Sequence, residues 1–211
     1  IDREPVTGKF QITDGKVAEF QVSRDGLALD LKQSAALIER ELVLSGADEF
    51  TLAVNALASP VKGDNVNGLG IKEIIGTGHS NFAGSPKNRR HNIAIGAAAV
   101  NGTLIAPGEE FSLIKTLGKI DGSTGYLPEL VIKEGKTIPE YGGGLCQIGT
   151  TVFRGTYASG LPVTARRNHS YRVSYYEPAG TDATIYDPWP DYKFKNDTNN
   201  HVLIQSRIEG D

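Results

Sequence analysis

Three consecutive glycines, Gly142-Gly143-Gly144, run directly into Leu145-Cys146-Gln147-Ile148-Gly149. No other stretch constrains the backbone so strongly, because glycine reaches left-handed conformations without a steric penalty and lets other chain segments approach closely. The residues that follow have helical potential from about Cys146 to Ala158. Ile148 and Val152 lie at i,i+4 with Phe153 beside them, and Ser159-Gly160-Leu161-Pro162 ends the run. The only cysteine of the chain therefore falls at the start of a helix. Backbone N–H groups there stabilise a thiolate and can also face a developing oxyanion.

Around this helix the chain reads as short elements cut by Gly, Pro and Asp turns. Phe10 and Ile12 precede Asp14-Gly15, and Val17, Phe20 and Val22 follow it, the pattern of a hairpin. Asp30 with Gln33 three residues on caps a helix carrying Leu31, Ala35, Ile38 and Leu42, with Gly46 as its stop. Phe50, Leu52, Val54 and Ala56 alternate as a strand up to Ser59-Pro60. A polar stretch from Lys62 to Gly70 follows, either a linker or a long loop. These features predict a small N-terminal α+β lobe over 1–73 and a larger domain over 74–211. In the latter, Arg89 to Val100 reads as a helix, followed by extended pieces around Leu104–Ser112, Leu130–Ile132 and Thr137–Ile138. Further strands are expected through Tyr171, Val173 and Tyr175, at Ala183 and Ile185, and at Val202 and Ile204. The fold class expected is α+β, a mostly antiparallel sheet with a cysteine-bearing helix.

Composition narrows the chemistry. With 22 Lys+Arg against 25 Asp+Glu the net charge is −3, which disfavours a nucleic-acid binder. No apolar run approaches the roughly 20 residues needed to cross a bilayer. The sequence lacks Met even at position 1, which points to a fragment of a longer or processed protein with a leader or membrane tether outside it. One cysteine can form neither an internal disulfide nor a multi-cysteine metal site, and the four histidines form no short ligand motif. No metal or other cofactor is expected. Two Asn-x-Thr triplets, at Asn101 and Asn196, have meaning only in a glycosylating pathway.

Charge is unevenly distributed. From Tyr141 to Tyr176 there is no acidic residue, while Arg154, Arg166, Arg167 and Arg172 are all present. Such a patch suits a small acid or peptide carboxylate, which a guanidinium grips through two donors. Arg89 and Arg90, in the first turn of their helix, oppose its dipole; they either pair with nearby acids or grip an anion. Gln147 joins Arg89, Arg90, Arg166 and Arg167 as a candidate ligand-binding residue. His169 is the candidate base for Cys146, with Asp182 (or Asp187) within reach if the late strands pair. The order Cys, His, Asp resembles that of transglutaminase-like cysteine enzymes. The opposing reading is a cysteine that packs as a small hydrophobe. The late aromatics Tyr175, Tyr176, Tyr186, Trp189, Tyr192 and Phe194 are read as core, with sugar stacking as the alternative.

Ordered motifs sharpen this picture. Asn88-Arg89-Arg90-His91-Asn92-Ile93, Pro107-Gly108-Glu109, Phe111-Ser112, Gly142-Gly143-Gly144-Leu145-Cys146-Gln147, Arg167, His169-Ser170 and Gly180-Thr181-Asp182-Ala183-Thr184 resemble the VanW-like family. The preceding lobe resembles a peptidoglycan-binding domain that often stands before such domains. The resemblance implies a bacterial envelope protein exposed outside the membrane or in the wall, with a link to glycopeptide resistance. Three roles remain open at this point: recognition of peptidoglycan or its stem peptides, a cysteine-dependent amidase or transpeptidase on cell-wall peptides, and a noncatalytic envelope assembly module.

Overall fold

The computed structural model describes residues 2–14, 16–59, 68–133 and 136–210. Two compact units are present, Ile1–Gly68 and Leu69–Asp211, against an expected boundary a few residues later. Most of the polar stretch read as a linker lies outside the described residues.

In the first unit, β1 (Lys9–Thr13) and β2 (Lys16–Gln21) form the expected antiparallel hairpin, with Asp14 in a left-handed conformation at φ 51°. β3 (Gly26–Leu29) pairs antiparallel with β4 (Val54–Leu57). Between them Asp30 caps α1 (Leu31–Ile38), its carboxylate accepting from the Gln33 N–H at 2.9 Å. The helix continues as a π-helical segment, Glu39–Leu44, before Gly46. The β4 strand starts later than its alternation suggested. Ala53, just before it, is instead tied to the helix cap, accepting from the Asp30 N–H at 2.9 Å and exchanging hydrogen bonds with the Ser34 hydroxyl.

The second unit is built around two helices, α2 (Lys87–Val100) and, after the short α3 (Leu113–Leu117), α4 (Leu145–Ser159). Three small antiparallel sheets surround them. β6 (Glu110–Ser112), β10 (Lys193–Lys195) and β9 (Val163–Ala165) form one, with β10 in the middle. β5 (Thr103–Ile105) pairs with β11 (Val202–Ile204), and β7 (Pro128–Lys133) with β8 (Lys136–Tyr141). Every strand pair is antiparallel, so the α+β expectation holds, though as several short sheets rather than one. The core joins Ile93 and Val100 of α2 to Leu145, Ile148 and Phe153 of α4, closed by Phe111, Leu113, Tyr192 and Phe194. Burying these side chains stabilises the unit by about 1.5–3 kcal/mol each.

Two predicted strands do not form. The chain through Tyr171, Val173 and Tyr175 turns as a 3₁₀ segment, Ser174–Tyr176, instead of extending. The cause is Arg154 on α4, whose guanidinium donates to the carbonyls of Tyr176, Glu177 and Thr181 at 2.7, 3.0 and 3.1 Å. Three carbonyls drawn to one point require a curled backbone. Residues 182–186 form no ladder either, yet burial alternates along them: Ala183 and Ile185 are buried, Asp182 and Thr184 half-buried, and Tyr186 exposed. Both asparagines of the Asn-x-Thr triplets serve the fold. Asn196 is fully buried and donates to the Ile105 and Asn200 carbonyls, and Asn101 accepts from the Ser206 N–H.

The 76–78 segment crosses α4 at glycines. A Cβ on Gly78 would fall on the Thr151 carbonyl oxygen and the Gly155 nitrogen, backbone atoms that cannot swing aside. Gly78→Ala is expected to destabilise the chain by about 1–3 kcal/mol, read as a lower urea midpoint; an unchanged midpoint would refute this close approach.

Candidate functional site

The glycine triplet starts α4. Gly142 and Gly144 adopt φ of 77° and 112°, and Gly144 is the N-cap without a side-chain cap. Close contact adds to this conformational demand, since a Cβ on Gly144 would press on Arg89, and one on Gly143 on Glu129. Asn92, fully buried in α2, donates to the Gly143 carbonyl at 3.0 Å and to the Leu127 carbonyl at 2.9 Å, and accepts from the Leu127 N–H. Cys146 therefore enters the helix in a fixed register, in its first turn. Its own N–H meets no acceptor among the described residues.

The thiol is closely surrounded yet keeps partial solvent access. Sγ lies 3.4 Å from the Thr184 hydroxyl and accepts from the Ile185 N–H at 3.5 Å. The His169 side chain lies close enough to act on it electrostatically. His169 Nδ1 is 2.5 Å from Asp182 Oδ2, so Nε2 is the nitrogen left to face the sulfur. The same Oδ2 accepts from the His169 backbone N–H at 2.8 Å. The imidazole ring stacks on buried Tyr176, with centroids 5.0 Å apart and planes at 26°. Cysteine, histidine and aspartate thus form a connected row, with Asp182 rather than Asp187 as the third member.

Electrostatics favour charge separation. Burial pushes the Cys146 thiol up, but the His169 hydrogen bond and charge, with the Thr184 hydroxyl and Ile185 N–H, outweigh it and leave the pKa below its ordinary value. Burial likewise pulls His169 down, and its contacts with Cys146 and Asp182 reverse this to a net rise. For Asp182, burial is outweighed by the backbone N–H and side chain of His169, which hold the carboxyl below the usual range. All three shifts move the shared proton from sulfur toward imidazole.

The arginines behave differently from one another. Arg89 donates to Ser85 Oγ at 2.6 Å, Gln147 Oε1 at 2.8 Å and Tyr176 Oη at 3.3 Å, and lies over the Tyr175 ring. Its mismatch with the helix dipole is thus met by neutral acceptors and a π face, not by an acid. Gln147 is buried and held at both ends, its amide donating to the Asn81 carbonyl at 3.2 Å. Arg166 donates to the Asp182 and Gly180 carbonyls, lies 3.6 Å from Asp182 Oδ1, and covers the Phe153 ring. It braces Asp182 from the side opposite His169. Arg167 is exposed over the Trp189 ring at 4.8 Å. Arg90 is exposed and takes part in none of these contacts. Geometry therefore brings Cys146, His169 and Asp182 together, surrounds them with Arg89, Gln147 and Arg166 as internal struts, and leaves Arg167 at the edge.

Several contributors had no role assigned from sequence. Thr184 touches the thiol, Tyr176 supports the imidazole, Arg154 curls the loop beyond it, and Asn92 pins the glycine turn. A cavity of about 250 Å³ opens beside His169 and Asp182, lined also by Ser170, Tyr171, Val173 and Tyr176. Among the described residues no three His, Cys, Asp or Glu side chains are grouped to hold a metal, and no helix is long and apolar enough to cross a membrane.

Comparison with known proteins places this arrangement in context. A family model described as "VanW like protein" matches residues 88–211. The uncharacterized protein YoaR of Bacillus subtilis (strain 168) is 34% identical over 129 residues, 61% of this chain and 42% of YoaR. The vancomycin B-type resistance protein VanW of Enterococcus faecalis (strain ATCC 700802 / V583) is 34% identical over 118 residues, 54% of this chain and 42% of that protein. The chain thus spans less than half the length of these curated relatives. No solved structure matches it.

Alkylation by iodoacetamide reads the state of the thiol directly. Its rate against pH is expected to titrate below the ordinary thiol value of 9.0. His169→Ala should move the midpoint upward and slow the reaction at neutral pH by about tenfold or more. An unshifted midpoint in that variant would break the proposed coupling.

Proposed function

This chain belongs to the VanW-like family, and on that premise we propose that it is a cell-envelope protein whose Cys146–His169–Asp182 site performs acyl transfer on the stem peptides of peptidoglycan. The single observation carrying this reading is the row itself: a thiol in the first turn of a helix, beside a histidine that an aspartate orients. This is the constellation that nucleophilic acyl chemistry requires.

The steps follow from the geometry. His169 Nε2 takes the thiol proton, and Sγ attacks the carbonyl carbon of a peptide amide. The carbonyl π electrons move to oxygen, where the Cys146 N–H, which meets no acceptor among the described residues, is a backbone donor for the oxyanion. On collapse the C–N bond breaks, and the imidazolium gives its proton to the departing amine. The enzyme is left as a thioester. An incoming amine then attacks that carbonyl while His169 accepts its proton, a new amide forms, and the thiol is restored. Water in place of the amine gives hydrolysis. Asp182 keeps the proton on Nδ1, so that Nε2 faces the sulfur throughout.

A second reading, recognition of wall peptides without turnover, draws on the contacts from Thr184 and Ile185 that already surround the thiol. The two readings part on one experiment. Incubation with a panel of muropeptides, with and without an amine acceptor, is expected to yield an acyl adduct on Cys146 by intact-protein mass spectrometry, followed by a new amide product. Cys146→Ser and His169→Ala, checked for folding by circular dichroism, should reduce product formation by at least about 10³-fold. Binding with neither adduct nor product across the panel would leave recognition standing and reject catalysis.

A further inference from the structure

We propose that Arg167, held over Trp189, is the carboxylate subsite of this centre: a bidentate grip for a free carboxylate on the peptide that approaches Cys146. The proposal deepens the acyl-transfer reading by naming the group that orients the substrate, and it starts from what the other arginines are doing. Arg89 donates to Ser85, Gln147 and Tyr176; Arg154 to the carbonyls of His79, Tyr176, Glu177 and Thr181; Arg166 to those of Asp182 and Gly180; Arg172 is paired with Glu177. Arg167 differs. Among the described residues its guanidinium has an aromatic face beneath it and neither a carboxylate nor a carbonyl at its edge.

Position supports the assignment. The Arg167 carbonyl accepts from the Thr184 N–H at 2.8 Å, and the Thr184 hydroxyl lies 3.4 Å from Sγ. Two residues on, the His169 backbone N–H donates to the Asp182 carboxylate, so the segment carrying Arg167 runs beside the one carrying Asp182 and Thr184. Trp189 is likewise placed by backbone: the Tyr186 N–H donates to the Pro190 carbonyl at 2.8 Å, closing the loop that carries the ring. Trp189 is 64% exposed. With the guanidinium carbon 4.8 Å from the ring centroid, the N–H groups of Arg167 meet no acceptor among the described residues. A planar fork of donors matches a carboxylate better than a carbonyl or a hydroxyl.

Trp189 is the only tryptophan of the chain, so its emission reports on this subsite alone. The test is a fluorescence titration of the full 211-residue chain with a synthetic stem peptide ending in a free carboxylate, and with the same peptide as its C-terminal carboxamide. The wild-type chain is expected to bind the carboxylate form about tenfold or more tightly. Arg167→Gln should bring the two affinities within about twofold, and Arg167→Lys should keep part of the preference, since it retains charge but loses the fork. Arg207→Gln, a surface charge change outside the site, should leave the preference intact. Equal affinity for the two peptides in the wild type, or an undiminished preference in Arg167→Gln, would overturn the subsite. Carboxylate preference without any acyl adduct on Cys146 would instead reject the acyl-transfer reading and leave the subsite in place.

Discussion

One carboxylate oxygen organises the site. Asp182 Oδ2 accepts from both the backbone N–H and the imidazole Nδ1 of His169. The first bond fixes where the residue sits, and the second fixes which way its ring turns. With the tautomer set, Nε2 is directed at Cys146 without further adjustment. Arg166 completes the arrangement by engaging both the carbonyl and the carboxylate of Asp182. Removing that oxygen would therefore disturb the position, the orientation and the charge of the histidine together, which is why the rest of the site depends on it.

The surrounding arginines extend this logic. Arg154 and Arg89 are held largely by carbonyl, hydroxyl and amide oxygens, not by acids. Neutral acceptors satisfy the donors but leave the positive charge uncompensated. The acid-free segment from Tyr141 to Tyr176 therefore carries uncompensated charge at Arg154, while its Arg166 and Arg172 are paired with Asp182 and Glu177, in a chain whose net charge is −3. The same guanidinium groups shape the backbone. Arg154 in particular curls the loop whose Tyr176 ring supports the imidazole. Fold and field come from the same side chains.

How much of this was legible in the sequence depends on the range of each signal. The glycine turn and the cysteine helix were readable because conformational freedom, helical period and terminator residues are all local. The α1 cap at Asp30 and the hairpin at Asp14 were readable for the same reason. The strand expected through Tyr171 and Tyr175 followed a sound alternation that lost to a distant side chain, Arg154, collecting its carbonyls. Gln147 reads as a ligand-binding candidate but is a buried strut, since its partners Arg89 and Asn81 come from elsewhere in the chain. The late aromatics divided: Tyr176, Tyr192 and Phe194 went to the interior, Tyr175 and Trp189 to the surface. A side chain that bonds a backbone carbonyl leaves no matching residue type to find, so such roles stay hidden until the fold is known.

The exposed pair of Arg167 and Trp189 bears on why a thiol this enclosed would be useful. A sulfur ringed by Thr184, Ile185 and His169 gains a stabilised anion, but it also has few directions from which a carbonyl can approach. Reactivity then depends on how the substrate is presented, more than on raw nucleophilicity. A charged group at the edge of the site supplies that presentation if it fixes one end of the peptide while the reacting amide is guided to the sulfur. Binding energy gathered away from the reacting atoms is converted into orientation, worth several kcal/mol of the barrier when the approach is narrow. The narrow approach and the edge guanidinium are therefore complementary: the first makes orientation decisive, and the second provides it.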